Sequence, residues 1–197
     1  MNTNKNDNYP SSIDNEYLQK VTIGKRKPHN APIELADYDS TWINLFEREA
    51  KRIKSILGNK VLQLEHVGST AVPNLCAKPI IDILLVVADS SDELSYVSTL
   101  EAVGYTLRIR EPEWYEHRLF KGPDTDINLH VFSEGALEVD KMLRFRNWLR
   151  ANRDDREKYA EAKRELAKNT WENVQDYADA KTEIVEEIMK RANPNIL

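Results

Sequence analysis

A carboxylate in the middle of an oily run is the hardest feature of this sequence to fold, and it narrows what the chain can become. Residues 61–87 read VLQLEHVGSTAVPNLCAKPIIDILLVV. Residues 61–66 alternate, with Leu62, Leu64 and His66 on one face and Gln63 and Glu65 on the other, which predicts a strand. Residues 79–87 are apolar on both faces, which predicts a central, fully buried strand. Asp82 stands inside that run, flanked by Ile80, Ile81, Ile83 and Leu84. An unpaired carboxylate in such a place is costly or is forced neutral. Its presence calls for a metal, a cationic partner or a wet cleft at the strand's end. The competing reading is a structural carboxylate paired with Lys78, four residues upstream, or with an arginine.

Between the two strands lies Gly68-Ser69-Thr70. A glycine at a strand end lets the backbone turn tightly and lets a ligand approach the main chain. Ser69 and Thr70 add hydroxyl and N–H groups where a following helix would begin, an anion site. With Asp82 about a dozen residues later, the pattern suits a nucleotide phosphate held by the turn and a divalent ion, Mg²⁺ or Mn²⁺, held by the carboxylate. For Ser69 the competing role is turn or cap formation. It lacks the Gly-x-Ser-x-Gly elbow of an acyl-transfer nucleophile. Cys76 reads as a small apolar filler.

Further candidates lie downstream. Asn128 and His130 share one strand face. If that face and the one carrying His66 coincide with the face of Asp82, the cleft holds Asp, Asn and two His, and Zn²⁺ becomes the alternative metal. His130 otherwise reads as a general base, a substrate hydrogen-bonder or a structural histidine. Arg118 offers a forked guanidinium for phosphate, whereas Arg108 and Arg110 read as surface charge.

Three segments, IELADYD (33–39), EHVGSTAVPNLCAKPIIDILL (65–85) and INLHVF (127–132), resemble the GrpB family, and the likeness spans roughly residues 31–192. That family is placed in the nucleotidyltransferase superfamily, so the resemblance implies an α/β (α+β) fold: a mixed β-sheet flanked by helices, with a C-terminal helical segment. In active nucleotidyltransferases a Gly-Ser turn precedes an Asp-hydrophobic-Asp pair, and both carboxylates bind metal. Gly68, Ser69 and Asp82 match those positions, but Leu84 replaces the second carboxylate. The implied function is metal-dependent transfer of a nucleotidyl group to a small acceptor, with Asp82 and His130 as catalytic residues. Gly68, Ser69, Thr70, Lys78 and Arg118 would then hold phosphate. One alternative is a non-catalytic module on a degenerate scaffold, binding a nucleotide, a coenzyme A–like molecule or another phosphorylated metabolite. The other is a metal-dependent hydrolase whose ligands are His66, Asp82 and His130. Some GrpB-like domains are joined to dephospho-coenzyme A kinase, but this chain carries no kinase P-loop.

The remaining sequence frames that core. A net charge of −5 argues against general nucleic-acid binding. No apolar run approaches the ~18 residues of a membrane helix, and the first ten residues have no signal-peptide core. A single cysteine fits a reducing cytoplasm. Nothing in the pattern fixes an oligomeric state. Residues 1–30 read as an N-terminal extension, disordered over 1–12, with a short helix at 14–20 and a basic cluster, Lys25-Arg26-Lys27, that is a solvated linker or a phosphate-facing arm. Residues 31–135 form the α/β core: an edge strand at 33–35, then a helix capped by Asp39 or Ser40 and ended by Gly58. A second helix follows, opened by a Ser90/Glu93 capping box and closed by Gly104, and then strands at 105–110, 117–120 and 127–132. Residues 136–197 read as three amphipathic helices packed on the core.

Overall fold

A computed structural model describes residues 15–26 and 28–192. Expectations for the extreme N-terminus, for Lys27 and for the stop near Asn193-Pro194 lie outside the described residues. Five strands form one mixed sheet: β1 (Gln63–Val67), β2 (Ile81–Val87), β3 (Thr106–Glu111), β4 (His117–Lys121) and β5 (Ile127–Ser133). Their order is β1-β2-β5-β4-β3, with β2 parallel to β5 and the other neighbours antiparallel.

The alternation of β2 decides what each face meets. Ile81, Ile83 and Leu85 point to one side, joined there by Phe120, Leu129 and Val131. That side is covered by α2 (Thr41–Leu57), whose Trp42, Ile53 and Leu57 are buried in the same cluster. Each fully buried side chain of this size is worth about 1.5–3 kcal/mol. The helix forms because its apolar residues recur at helical spacing and Asp39 accepts a hydrogen bond from the Thr41 N–H at 2.8 Å. It ends at Gly58, where φ is 57°.

On the other side, Leu84, Val86 and Phe132 pack with Tyr115 against Val139 of α4 (Leu137–Ala151). Helices α5 (Arg153–Ala167) and α7 (Thr182–Ala192) join α4 over Val72, Leu75 and Cys76, through Leu149, Tyr159, Ala160 and Ile188. The short α6 (Val174–Asp179) seats Tyr177 against Ile33 and Ala167. The first helix, α1 (Asn15–Val21), leads into a bridge between Thr22 and Ile109 of β3. Among the described residues no helix is long and apolar enough to cross a membrane.

The mixed α/β sheet flanked by helices is thus as expected, with local corrections. The third C-terminal helix, expected to run from Tyr177 to Met189, is broken into α6 and α7 at Ala180-Lys181. Residues 33–35 form no edge strand; the chain is held there by an isolated bridge between Ala36 and Ala77. The helix expected to open at Ser90 is also interrupted. Ser90 is fully buried and donates to the Glu116 carbonyl at 2.8 Å, while Glu93 turns its carboxylate to Arg110 and Arg118. With both capping groups engaged elsewhere, a short 3-10 turn (Glu93–Ser95) precedes α3, which spans only Val97–Ala102.

Candidate functional site

The site forms where the end of β1 lies beside the start of β2. Val67, the last residue of β1, pairs with Asp82, and Asp82 pairs on its other side with Asn128 of β5. Gly68 follows with φ 69°, and a Cβ built there would stand 2.3 Å from Asp82 Oδ2. Only glycine lets the chain turn this closely against the carboxylate. Asn128 Nδ2 donates to Asp82 Oδ1 at 2.8 Å, and His130 Nε2 lies 3.8 Å from the same oxygen. The Asp82 side chain keeps 28% of its surface exposed, so it opens onto solvent. Burial pushes its pKa up, but His130, Asn128 and the nearby Lys78 charge outweigh that and hold it below the usual carboxylate value. Asp82 is therefore a charged ligand group at neutral pH.

Ser69 begins a short 3-10 turn (Ser69–Ala71). Its hydroxyl accepts a hydrogen bond from Lys163 Nζ at 2.9 Å. Lys163 comes from α5, is 2% exposed, also donates to the Cys76 carbonyl, and lies 5.0 Å from the centre of the Tyr159 ring. Burial pulls its pKa down to about 7. Two more lysines flank the ring of Tyr177, Lys181 at 4.4 Å and Lys78 at 5.8 Å from its centre. Burial lowers both, Lys181 to about 8, and the negative charge of Asp82 works against that lowering in all three lysines. Among the described residues none of the three forms an ion pair. The Tyr177 hydroxyl is buried and has no hydrogen-bond partner among the described residues. Three lysines that form no ion pair, set close to Ser69 and Asp82, offer donors to an anion with several oxygens.

The structure brings together Gly68, Ser69, Lys78, Asp82 and His130 and separates the other candidates from them. His66 pairs with Ile83, so it points to the α2 side, away from the face of Asp82 and His130. There it stacks on Phe46 with centroids 4.9 Å apart and bonds the Thr70 hydroxyl at 3.0 Å. Burial pulls its pKa to about 4. The expected ligand set of His66, Asp82 and His130 is therefore not assembled, and no group of three His, Cys, Asp or Glu side chains suited to a metal gathers among the described residues. Thr70, 1% exposed, spends its hydroxyl on His66 and on the Ile80 carbonyl, closing the turn instead of facing a ligand. Arg118 pairs with Val131 on the α2 side of the sheet and is bound by Glu93 and Glu116, so its expected phosphate contact is also corrected. Arg26 is no phosphate-facing arm; it donates to Asn15 and Asn173.

With the Asp82 carboxylate between Asn128 and His130, the donor set fits a hard divalent ion that brings phosphate oxygens as its other ligands. It does not fit a resident transition metal. The residues that sequence reasoning missed are Lys163, Lys181 and Tyr177. For Lys163 a signal was present, since it falls on the inward stripe of its helix with Tyr159 and Leu166.

Comparison with known proteins shows the family to which the chain belongs. The model of the GrpB protein family matches residues 32–191. The chain is 71% identical over 178 residues to UPF0157 protein BH1888 of Halalkalibacterium halodurans, covering 90% of this chain and 91% of that one. It is 44% identical over 165 residues to UPF0157 protein SCO7215 of Streptomyces coelicolor, covering 84% and 87%. The crystal structure of the conserved protein GrpB from Enterococcus faecalis superposes with a TM-score of 0.68 at 32% identity, over 81% of this chain and 96% of that one. The chain belongs to the GrpB family.

Proposed function

We propose that this protein binds the phosphate groups of a nucleotide at the Gly68-Ser69 turn and transfers the nucleotidyl group to a small acceptor. The observation that carries the reading is the set of three lysines, Lys78, Lys163 and Lys181, gathered without carboxylate partners beside Ser69 and Asp82. Lys163 and Ser69 would grip phosphate oxygens, and Lys181 and Lys78 would hold the outer phosphates. A divalent ion on Asp82, when bound, would neutralise charge on the phosphates. His130 would take the acceptor's hydroxyl proton on Nε2 as the acceptor oxygen bonds to the α-phosphorus. The α–β bridging bond then breaks and pyrophosphate leaves. Catalysis would rest on positioning and charge neutralisation.

A second reading, ligand binding without turnover, is favoured by one observation. Leu84, where the second carboxylate is expected, is fully buried among Val67, Val86 and Phe132. A phosphorylated coenzyme or metabolite would then be the ligand. Thermal-shift screening of nucleotides with and without Mg²⁺, Mn²⁺ and Zn²⁺ separates the two readings. Stabilisation only with metal supports transfer; stabilisation by nucleotide alone supports the binding module. Asp82→Asn is expected to abolish turnover and metal-dependent nucleotide binding while the fold survives. Unchanged nucleotide affinity in that variant defeats the transfer reading.

A further inference from the structure

Ser69 and Lys163 form a pair that phosphate binding does not by itself require. Lys163 Nζ stands 2.9 Å from Ser69 Oγ, within the reach from which a base takes a hydroxyl proton. The serine is only half-buried, whereas the lysine is 2% exposed. Among the described residues no carboxylate pairs with Lys163, and the Cys76 carbonyl fixes its amine by accepting one N–H. Tyr159 lies beside it, its ring centre 5.0 Å from Nζ. Burial keeps that phenol un-ionised, so it adds no negative charge to hold the ammonium. A hydroxyl, an amine in contact with it and a third group orienting the amine are the parts that activate a serine.

The pair has two protonation states. As an ammonium, Lys163 donates to Ser69 and to the Cys76 carbonyl. After losing one proton it still donates to the carbonyl, and its lone pair meets the Ser69 hydroxyl across the same contact. The hydroxyl then becomes the donor. Burial brings the exchange between these states to about 7; Cys76 and Asp82 work against that lowering, while Lys181 and Arg164 add to it. No Gly-x-Ser-x-Gly elbow is needed, because the base arrives from α5 and is not a histidine.

We propose that Ser69 is a nucleophile and Lys163 its general base, giving the protein a second activity: hydrolysis of an ester whose alcohol portion carries phosphate. Ser69 Oγ bonds to the acyl carbon as its proton passes to Lys163 Nζ. The bond to the leaving alcohol breaks, and Lys163 gives that oxygen the proton. Water then attacks the acyl-serine and gives a proton to Lys163, the acid is released, and Lys163 hands the proton back to Ser69. Lys78 and Lys181, on either side of the Tyr177 ring, supply cations for the phosphate. This activity does not rest on nucleotidyl transfer, although a bound nucleotide would occupy the same turn.

A neutral fluorophosphonate, which bonds a serine oxygen to phosphorus as fluoride leaves, tests the pair on the whole protein without nucleotide or metal. Mass mapping is expected to place the label on Ser69, and Ser69→Ala to abolish it. Lys163→Met should slow labelling about a hundredfold or more. Lys163→Arg keeps the positive charge but does not release a proton, so it should be equally slow. The wild-type rate should rise with pH through about 7 and then level off, a step that Lys163→Met should lack. Equal rates in wild type and Lys163→Met overturn the proposal, as does a wild-type Ser69 that stays unlabelled. If Lys163→Arg does not fold, the methionine variant and the pH profile decide the matter. Acetate release from O-acetylated glycerol 3-phosphate should exceed that from O-acetylated glycerol by about tenfold or more, and equal release overturns the phosphate requirement. Failure of nucleotide binding in the thermal-shift screen leaves these rates untouched, so the two readings fail separately.

Discussion

Replacing Lys163 with methionine should make the protein more stable at neutral pH and less able to bind phosphate. Lys163 is 2% exposed, and burial has pulled its pKa from the ordinary 10.5 to about 7. At about 1.4 kcal/mol per tenfold change, that gap is worth about 5 kcal/mol at most. The sign follows from proton counting. Between these two values the unfolded chain holds a proton that the folded chain has released, so stability rises with pH across that window. It is fully present above the unfolded value and lost as pH falls through the folded one. Methionine has no such titration. Its gain at neutral pH is reduced by about 1 kcal/mol for each lost hydrogen bond, to Ser69 and to the Cys76 carbonyl, which leaves a net of about 1–3 kcal/mol. Urea unfolding of both proteins, from about pH 7 to about pH 9.5, reads the effect. The wild type should gain about 3 kcal/mol on Lys163→Met over that range. Lys181, whose pKa is also lowered, is present in both proteins and cancels. Parallel stability curves would refute the argument that Lys163 is held as a costly, releasable cation. At neutral pH the variant should also lose stabilisation by pyrophosphate, although its unliganded fold is firmer.

Two further substitutions probe the strand ends. Gly68→Ala places a methyl group 2.3 Å from Asp82 Oδ2 at φ 69° and ψ −170°, a region almost reserved for glycine, so it should cost about 1–3 kcal/mol in backbone strain and displace the carboxylate. Thermal melts should show a modest loss of intrinsic stability and complete loss of metal-dependent nucleotide stabilisation. Leu84→Asp restores the missing carboxylate in sequence but drops it into a fully buried apolar cluster. It should destabilise the fold by at least about 3 kcal/mol and bring no gain in Mg²⁺ affinity by calorimetry.

How much of this was legible depended on whether the signal was local. The core strands were readable because alternation and apolar runs are local patterns, and Asp82 was conspicuous because its neighbours are all aliphatic. His66 was misplaced for a physical reason. Its strand was read correctly, but which face meets which layer depends on register with β2, and pairing with Ile83 sends His66 under α2. Glu93 had the spacing of a capping box, yet two arginines from β3 and β4 captured it, a contact spanning 17 and 25 residues. Lys163 reaches the site from α5 and Lys181 from the turn before α7, each roughly a hundred residues beyond Ser69 and Asp82. Only the fold could reveal that they converge.

The helices after β5 hold the turn as well as the lysines. Arg146 donates to the His66 carbonyl and Arg150 to the Ala71 carbonyl, so the chain on either side of Gly68-Ser69 is pinned from α4, while Lys163 pins Ser69 from α5. Half of the receptacle therefore belongs to one layer of the protein and half to the other. Any loosening of the seam between those layers would silence recognition while every helix and strand was still intact, so loss of binding would be the earliest symptom of damage to this molecule.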